Sequence, residues 1–156
     1  MKTKHLFLTF AAAALLVGCT KPAQETPHPD EAAYRGKLTV IEIGDALFEM
    51  ENIKATYDWD GTTLNVSLYN VSFSSKMPVT LNQVMLPAVP YTKSGNKLIL
   101  SGTDIIPLME SRGTMVPYER YACTDLTGEI TPERIVLSMK LGGFQTDYTG
   151  IFTEAE

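Results

Sequence analysis

Ile135-Val136-Leu137-Ser138-Met139-Lys140-Leu141-Gly142-Gly143-Phe144 is the stretch that decides the architecture of this 156-residue chain. Ile135, Leu137, Met139 and Leu141 fall on one face of an extended segment, with Ser138 and Lys140 on the other. That period of two marks a half-buried antiparallel strand. Gly142-Gly143 then turns the chain into Phe144–Phe152. The same alternation sets Leu64, Val66 and Leu68 against Asn65, Ser67 and Tyr69. Residues 34–156 hold fourteen Thr and only five Ala, a bias toward strand over helix.

Turn signals separate the apolar runs. Asp60-Gly61 sits between Ile53–Trp59 and Thr62–Tyr69, a strong hairpin signal because Gly accepts positive φ. Ser94-Gly95-Asn96 divides Val89–Thr92 from Lys97–Ser101, and Thr131-Pro132-Glu133-Arg134 divides Leu126–Ile130 from Ile135–Leu141. The pattern predicts strands over 34–43, 48–58, 62–73, 77–85, 89–92, 97–101, 114–121, 125–130, 134–141 and 144–153. Gly102–Arg112, with Pro107 among Ile105, Ile106, Leu108 and Met109, reads as either a buried loop or a short strand.

Many short strands, tight turns and no amphipathic helix mean an all-β sandwich or barrel. The meander order favours an antiparallel up-and-down β-barrel of eight to ten strands. So does a match between the ends of the domain, Tyr34-Arg35-Gly36 and Tyr148-Thr149-Gly150. Pairing of these two strands would close the sheet and remove its edges. An immunoglobulin sandwich would carry a Cys…Trp…Cys framework, which this chain lacks.

The N-terminus reads as an export signal. Lys2 and Lys4 precede a twelve-residue apolar run, Leu6–Val17, which is too short to span a bilayer. It ends in Leu16-Val17-Gly18-Cys19, which resembles the lipobox of bacterial lipoproteins. By that resemblance residues 1–18 are removed, Cys19 is lipidated, and the protein is held on a membrane through its acyl chains at roughly 0.8 kcal/mol per buried methylene. Thr20 stands where inner-membrane retention signals of the enterobacterial type carry Asp, so the outer membrane is the expected destination. Residues 19–33, with Pro22, Pro27 and Pro29 among polar side chains, form a spacer, and residues 34–156 the barrel domain.

About 120 folded residues make a single domain able to bury roughly two-thirds of its unfolded surface. Removing Lys2 and Lys4 takes the net charge from −5 to −7. An acidic chain without a basic cluster argues against a nucleic-acid partner. Lipidation of Cys19 would leave Cys123 without a disulfide partner, and a buried small hydrophobe is its simplest reading.

Histidine is confined to His5 and His28, outside the barrel domain. That removes Ser-His-Asp and Cys-His nucleophile systems and His-based zinc sites, and no metal or cofactor is expected. Asp58-Trp59-Asp60-Gly61 lacks the further oxygen ligands of a calcium loop and is explained by a hairpin. Asp104, Glu110, Glu119 and Asp125 would need to converge in pairs for acid–base work; solvated loop charges are the simpler reading. Aromatic and Met side chains either pack a filled core or line a cavity, with Tyr57, Trp59, Tyr69, Met139 and Tyr148 as candidate lining residues.

Taken with the lipobox, the spacer and the two Tyr-x-Gly units, Thr124-Asp125-Leu126-Thr127-Gly128-Glu129-Ile130 makes the chain resemble the calycin-like β-barrel lipoproteins of the Bacteroidetes over residues 34–153. The resemblance implies a barrel related in shape to lipocalins and implies no reaction. Trp59 lies beside the Asp60-Gly61 turn, whereas true lipocalins carry Gly-x-Trp on the first strand. The expected function is a non-catalytic, lipid-anchored envelope module that binds an apolar or amphipathic small molecule. The alternatives are a filled barrel whose surface binds an envelope protein or glycan, and a carboxylate-based hydrolase.

Overall fold

A computed structural model describes residues 33–154. The chain is all-β, an antiparallel up-and-down sheet curled into a half-barrel. Its strands are β1 (Ala33–Ile41), β2 (Leu47–Asp60), β3 (Thr63–Val71), β4 (Leu81–Val89), β5 (Tyr91–Ser94), β6 (Lys97–Gly102), β7 (Leu108–Ser111), β8 (Thr114–Pro117), β9 (Cys123–Ile130), β10 (Arg134–Leu141) and β11 (Phe144–Thr153). One turn of 3-10 helix, Glu119–Tyr121, precedes β9. Eleven strands stand where eight to ten were expected, the addition being β7 in the Pro107 region. The signal peptide (1–18) and Cys19 lie outside the described residues, as does all of the spacer (19–33) except Ala33.

Hydrogen bonding orders the strands β5-β6-β9-β10-β11-β1-β2-β3-β4-β7-β8. The first and last strands pair as expected, and their Tyr-x-Gly units meet glycine to glycine, with Gly36 opposite Gly150 and Leu38 opposite Tyr148. That seam lies mid-sheet and does not remove the edges, which are β5 and β8. Here the sheet's two flanks are joined by the chain itself. From β4 it runs through Pro90 into β5, and the Pro90 carbonyl accepts the Ser101 N–H at 3.3 Å.

Three register shifts curl the sheet, each placing two residues opposite one. They lie opposite Lys37, Asn65 and Met139. Each bulged strand holds a left-handed residue there: Asn52 (φ 58°), Ala88 (φ 52°) and Asp125 (φ 53°). At Ala88 the backbone N–H donates to Asn65 Oδ1 at 3.1 Å, and Asn65 Nδ2 donates to Asp58 Oδ1 at 2.9 Å. A short side-chain relay thus holds the bend.

The alternation places the core as the sequence predicts. Ile135, Leu137, Met139 and Leu141 are buried, as are Leu64, Val66 and Leu68 from the facing side. Buried Tyr34 donates from its hydroxyl to the Thr131 carbonyl at 2.7 Å, and Tyr148 to the Ile53 carbonyl at 2.9 Å. Both phenols are desolvated, which raises them above the usual tyrosine range. Cys123 is fully buried, and burial pushes its thiol up to about 11, with Asp125 adding to the shift.

Two predicted strands shift. The expected strand over 77–85 runs as Leu81–Val89 because residues 72–80 form a connection closed by Met77 N–H donating to Ser74 O. The expected strand over 114–121 stops at Pro117, where Tyr118 N–H turns to the Pro107 carbonyl and the 3-10 turn begins.

Candidate functional site

Antiparallel order sorts the connections to two ends of the half-barrel. Residues 42–46, 72–80, 112–113 and 142–143 share one end, and the 3-10 turn joins them through Gly142 N–H donating to the Ala122 carbonyl. The other end holds Gly61, Gly95 and the Thr131–Arg134 turn, together with Ala33 and Thr153, which pair with each other. An apolar cleft opens at the first end.

One wall of the cleft is the β7–β8 hairpin, which contributes Met109, Glu110, Ser111 and Val116. Its two-residue loop, Arg112-Gly113, has positive φ at both positions (53° and 79°), as a tight hairpin of right-handed twist requires. The hairpin docks on β4 through two residue pairs only, Val84–Met109 and Met85–Leu108. The facing wall is the β3–β4 connection, with Met77, Pro78 and Val79, and the first residue of β4, Leu81. Tyr118 and Tyr121 complete the lining. Their rings stack at 5.6 Å and 25°, and Tyr121 leans on Phe73 at 5.8 Å. The cleft has a volume of about 440 Å³.

Unusual contacts shape the β3–β4 wall. The Ser72 N–H donates to the Met50 thioether at 3.2 Å, and the Phe73 N–H to the Met77 thioether at 3.3 Å. Glu42, from the β1–β2 connection, accepts the Ser75 N–H at 2.7 Å and the Ser75 hydroxyl at 2.9 Å. The Ser74 hydroxyl, the Ser75 amide and the Ser75 hydroxyl together hold the Glu42 carboxyl below its ordinary range. A smaller cleft of about 110 Å³, lined by Glu42, Ile43, Phe73, Ser74, Lys76 and Phe144, lies on the other side of this connection. Exposed apolar side chains crowd the same end: Ile43 is 88% exposed, Leu47 65%, Val79 62% and Tyr118 43%.

Electrostatically, the larger cleft is simple. Glu110 is its only charged lining residue. It enters none of the ion pairs found among the described residues, which join Lys37 to Glu49 and Glu51, Lys97 and Arg134 to Glu129, and Lys140 to Asp125. Each cleft holds one carboxylate, Glu110 in the larger and Glu42 in the smaller. Asp104 lies in a left-handed turn (φ 56°), Asp125 pairs with Lys140, and Glu119 sits on the 3-10 turn, none of them lining either cleft. Among the described residues no group of three or more His, Cys, Asp or Glu is placed to hold a metal ion.

The five candidate lining residues are not brought together. Tyr57, Met139 and Tyr148 are packed into the core at 1%, 1% and 0% exposure. Trp59 is partly buried at the opposite end of the half-barrel, edge-on to Tyr57 at 5.5 Å. Tyr69 points outward, with the Lys54 ammonium 5.2 Å from its ring centroid and Thr56 Oγ1 3.3 Å from its hydroxyl. None of the five lines either cleft. Tyr118 and Tyr121, which do line the larger cleft, are not among those five. Their signal was an i, i+3 aromatic pair directly after Pro117, since side chains three apart eclipse on a 3-10 turn.

Comparison of the chain with protein-family models, curated proteins and solved structures found no match.

Proposed function

We propose that the protein is a lipid-anchored envelope module, non-catalytic, that holds an apolar or amphipathic small molecule at the mouth of its half-barrel. The cleft between the β7–β8 hairpin and the β3–β4 connection carries this reading. At about 440 Å³ it lies within the range of small-molecule sites, and its lining is mostly apolar with a few polar groups, as such sites usually are. It opens at the end opposite Ala33, where the chain would arrive from its anchor at Cys19. Attachment there leaves the mouth clear of the point where the tether joins the domain.

The test uses a soluble form, residues 20–156, titrated with a neutral naphthylamine dye that fluoresces in apolar surroundings. Saturable binding to one site is expected, weakened about tenfold by Val79→Lys and by Tyr118→Ala, each an exposed position whose substitution leaves the core alone. Absence of saturable binding, or binding indifferent to both variants, overturns the reading. Anchoring is tested on the full chain: Cys19→Ala should move the protein from the detergent phase to the aqueous phase.

A second reading draws on Ile43, Leu47, Val79 and Tyr118, which expose apolar surface at the same end of the half-barrel. Such a grouping suits a protein or glycan partner. Pull-down from envelope extract with wild type and Ile43→Asp distinguishes it, a partner lost with Ile43→Asp being the supporting result.

A further inference from the structure

We infer that the cleft selects amphiphiles with a cationic, ammonium-type head group, through Glu110 and the paired rings of Tyr118 and Tyr121. This rests on the cleft being the ligand site. Three features of its lining point the same way. Glu110 is the sole charged side chain, half-buried on β7 and outside every ion pair described, so its carboxylate is available to a ligand. Tyr118 stacks on Tyr121, which leans in turn on Phe73, so the face open to an ammonium is the outer one of the exposed Tyr118 ring. Met77, Val79, Leu81, Met109 and Val116 supply the apolar walls for an alkyl chain. Lys76, Arg112 and Arg120 neighbour the lining residues in sequence without lining the cleft, so the charge in the lining itself is the Glu110 carboxylate. An anionic amphiphile such as a fatty acid is therefore disfavoured by repulsion at the one charged point of the site.

Ammonium head groups occur both on free amphiphiles and on phospholipids. The cleft is a concave slot between a hairpin and a loop, at the end remote from Ala33, and it fits a free molecule rather than a bilayer surface.

Calorimetry on the residue 20–156 form with decyltrimethylammonium, decyl maltoside and decanoate, all below their micellar concentrations at pH 7 and low salt, tests this. The ammonium should bind about tenfold tighter than decanoate, the combined effect of one partly exposed ion pair, a cation–π contact and the repulsion of the anion. Glu110→Gln should cut that preference about fivefold while leaving decyl maltoside affinity unchanged. Tyr118→Leu, which keeps the apolar wall, should weaken the ammonium more than the maltoside. If all three ligands bind and the preference is absent or indifferent to Glu110→Gln, the inference falls while the binding-module reading stands. If none binds, the reading beneath it falls as well. Co-sedimentation with phosphatidylcholine or phosphatidylethanolamine vesicles should be negligible; binding there would overturn the free amphiphile as the ligand.

Discussion

Gly36 and Gly150 lie directly opposite each other across the β1–β11 seam, and neither position has room for a side chain. A Cβ on Gly36 would run into the Thr149 carbonyl, and one on Gly150 into the Tyr148 hydroxyl. Backbone cannot retreat as a flexible side chain can. Gly36→Ala is therefore expected to cost about 3 kcal/mol or more, at the upper end of overpacking effects. Urea unfolding followed by circular dichroism measures it. A midpoint within error of wild type would contradict the close approach.

Tyr148→Phe isolates the hydrogen bond from the packing. The ring stays over Gly150 while the Ile53 carbonyl loses its phenol donor in a buried setting. A loss of about 1–2 kcal/mol is expected. The same urea experiment reads it, and the loss should be smaller than for Gly36→Ala.

Ala88 holds a left-handed conformation at a bulge, where an L-residue other than Gly, Asn or Asp is strained by about 1–2 kcal/mol. Glycine relieves that strain at some cost in unfolded-chain entropy, so Ala88→Gly should stabilise the protein by about 0.5–1 kcal/mol. A fall in thermal midpoint for this variant would show that the methyl group's packing outweighs the strain.

Acid should loosen the cleft wall. Glu42 is held below its ordinary range by the Ser74 and Ser75 hydrogen bonds, so the stability it contributes is present above the unfolded-state carboxyl value and is lost as pH falls through the lower folded value. Thermal midpoints of wild type and of a Ser74→Ala/Ser75→Ala double variant, taken between pH 6 and pH 3, should converge at the acidic end. Parallel profiles would remove Glu42 as the cause.

Cys123 should be inert in the native state. With its thiol buried and pushed up to about 11, almost none is thiolate at pH 8. Labelling by a thiol reagent at pH 8 should proceed only at the rate of unfolding, and become immediate in urea. Prompt labelling of the native protein would show that the thiol is reachable.

Much of the sheet was legible in the sequence because burial on one face writes itself as alternation. Ile135 to Leu141 gave a strand with the correct inward face, and the two Tyr-x-Gly units gave the seam between the terminal strands. β7 was not legible: four residues after Pro107, paired to β4 at two positions, carry too little local pattern to stand apart from a loop. The site was less legible than the fold. Alternation says which side chains point inward and not whether the interior is full, so Tyr57, Met139 and Tyr148 were candidates for lining what is packed core. Tyr69 differs from these three, since the alternation of Leu64, Val66 and Leu68 already set it on the outer face. The cleft itself depends on a hairpin, a loop and a 3-10 turn meeting from separate parts of the chain, which no local pattern records.

The β1–β11 seam also sets a timetable. β1 is the first strand of the sheet to leave the ribosome and β11 the last, yet they are hydrogen-bonded neighbours, with contacts such as Tyr148 to Tyr34 spanning 114 residues. The seam at the centre of the sheet cannot form until β11 has been made. Such long-range pairing is slow, and the waiting strands expose unpaired edges. The sheet is therefore completed only when β11 is added, and removal of residues 144–153 would take a strand from the middle of the sheet rather than from its rim.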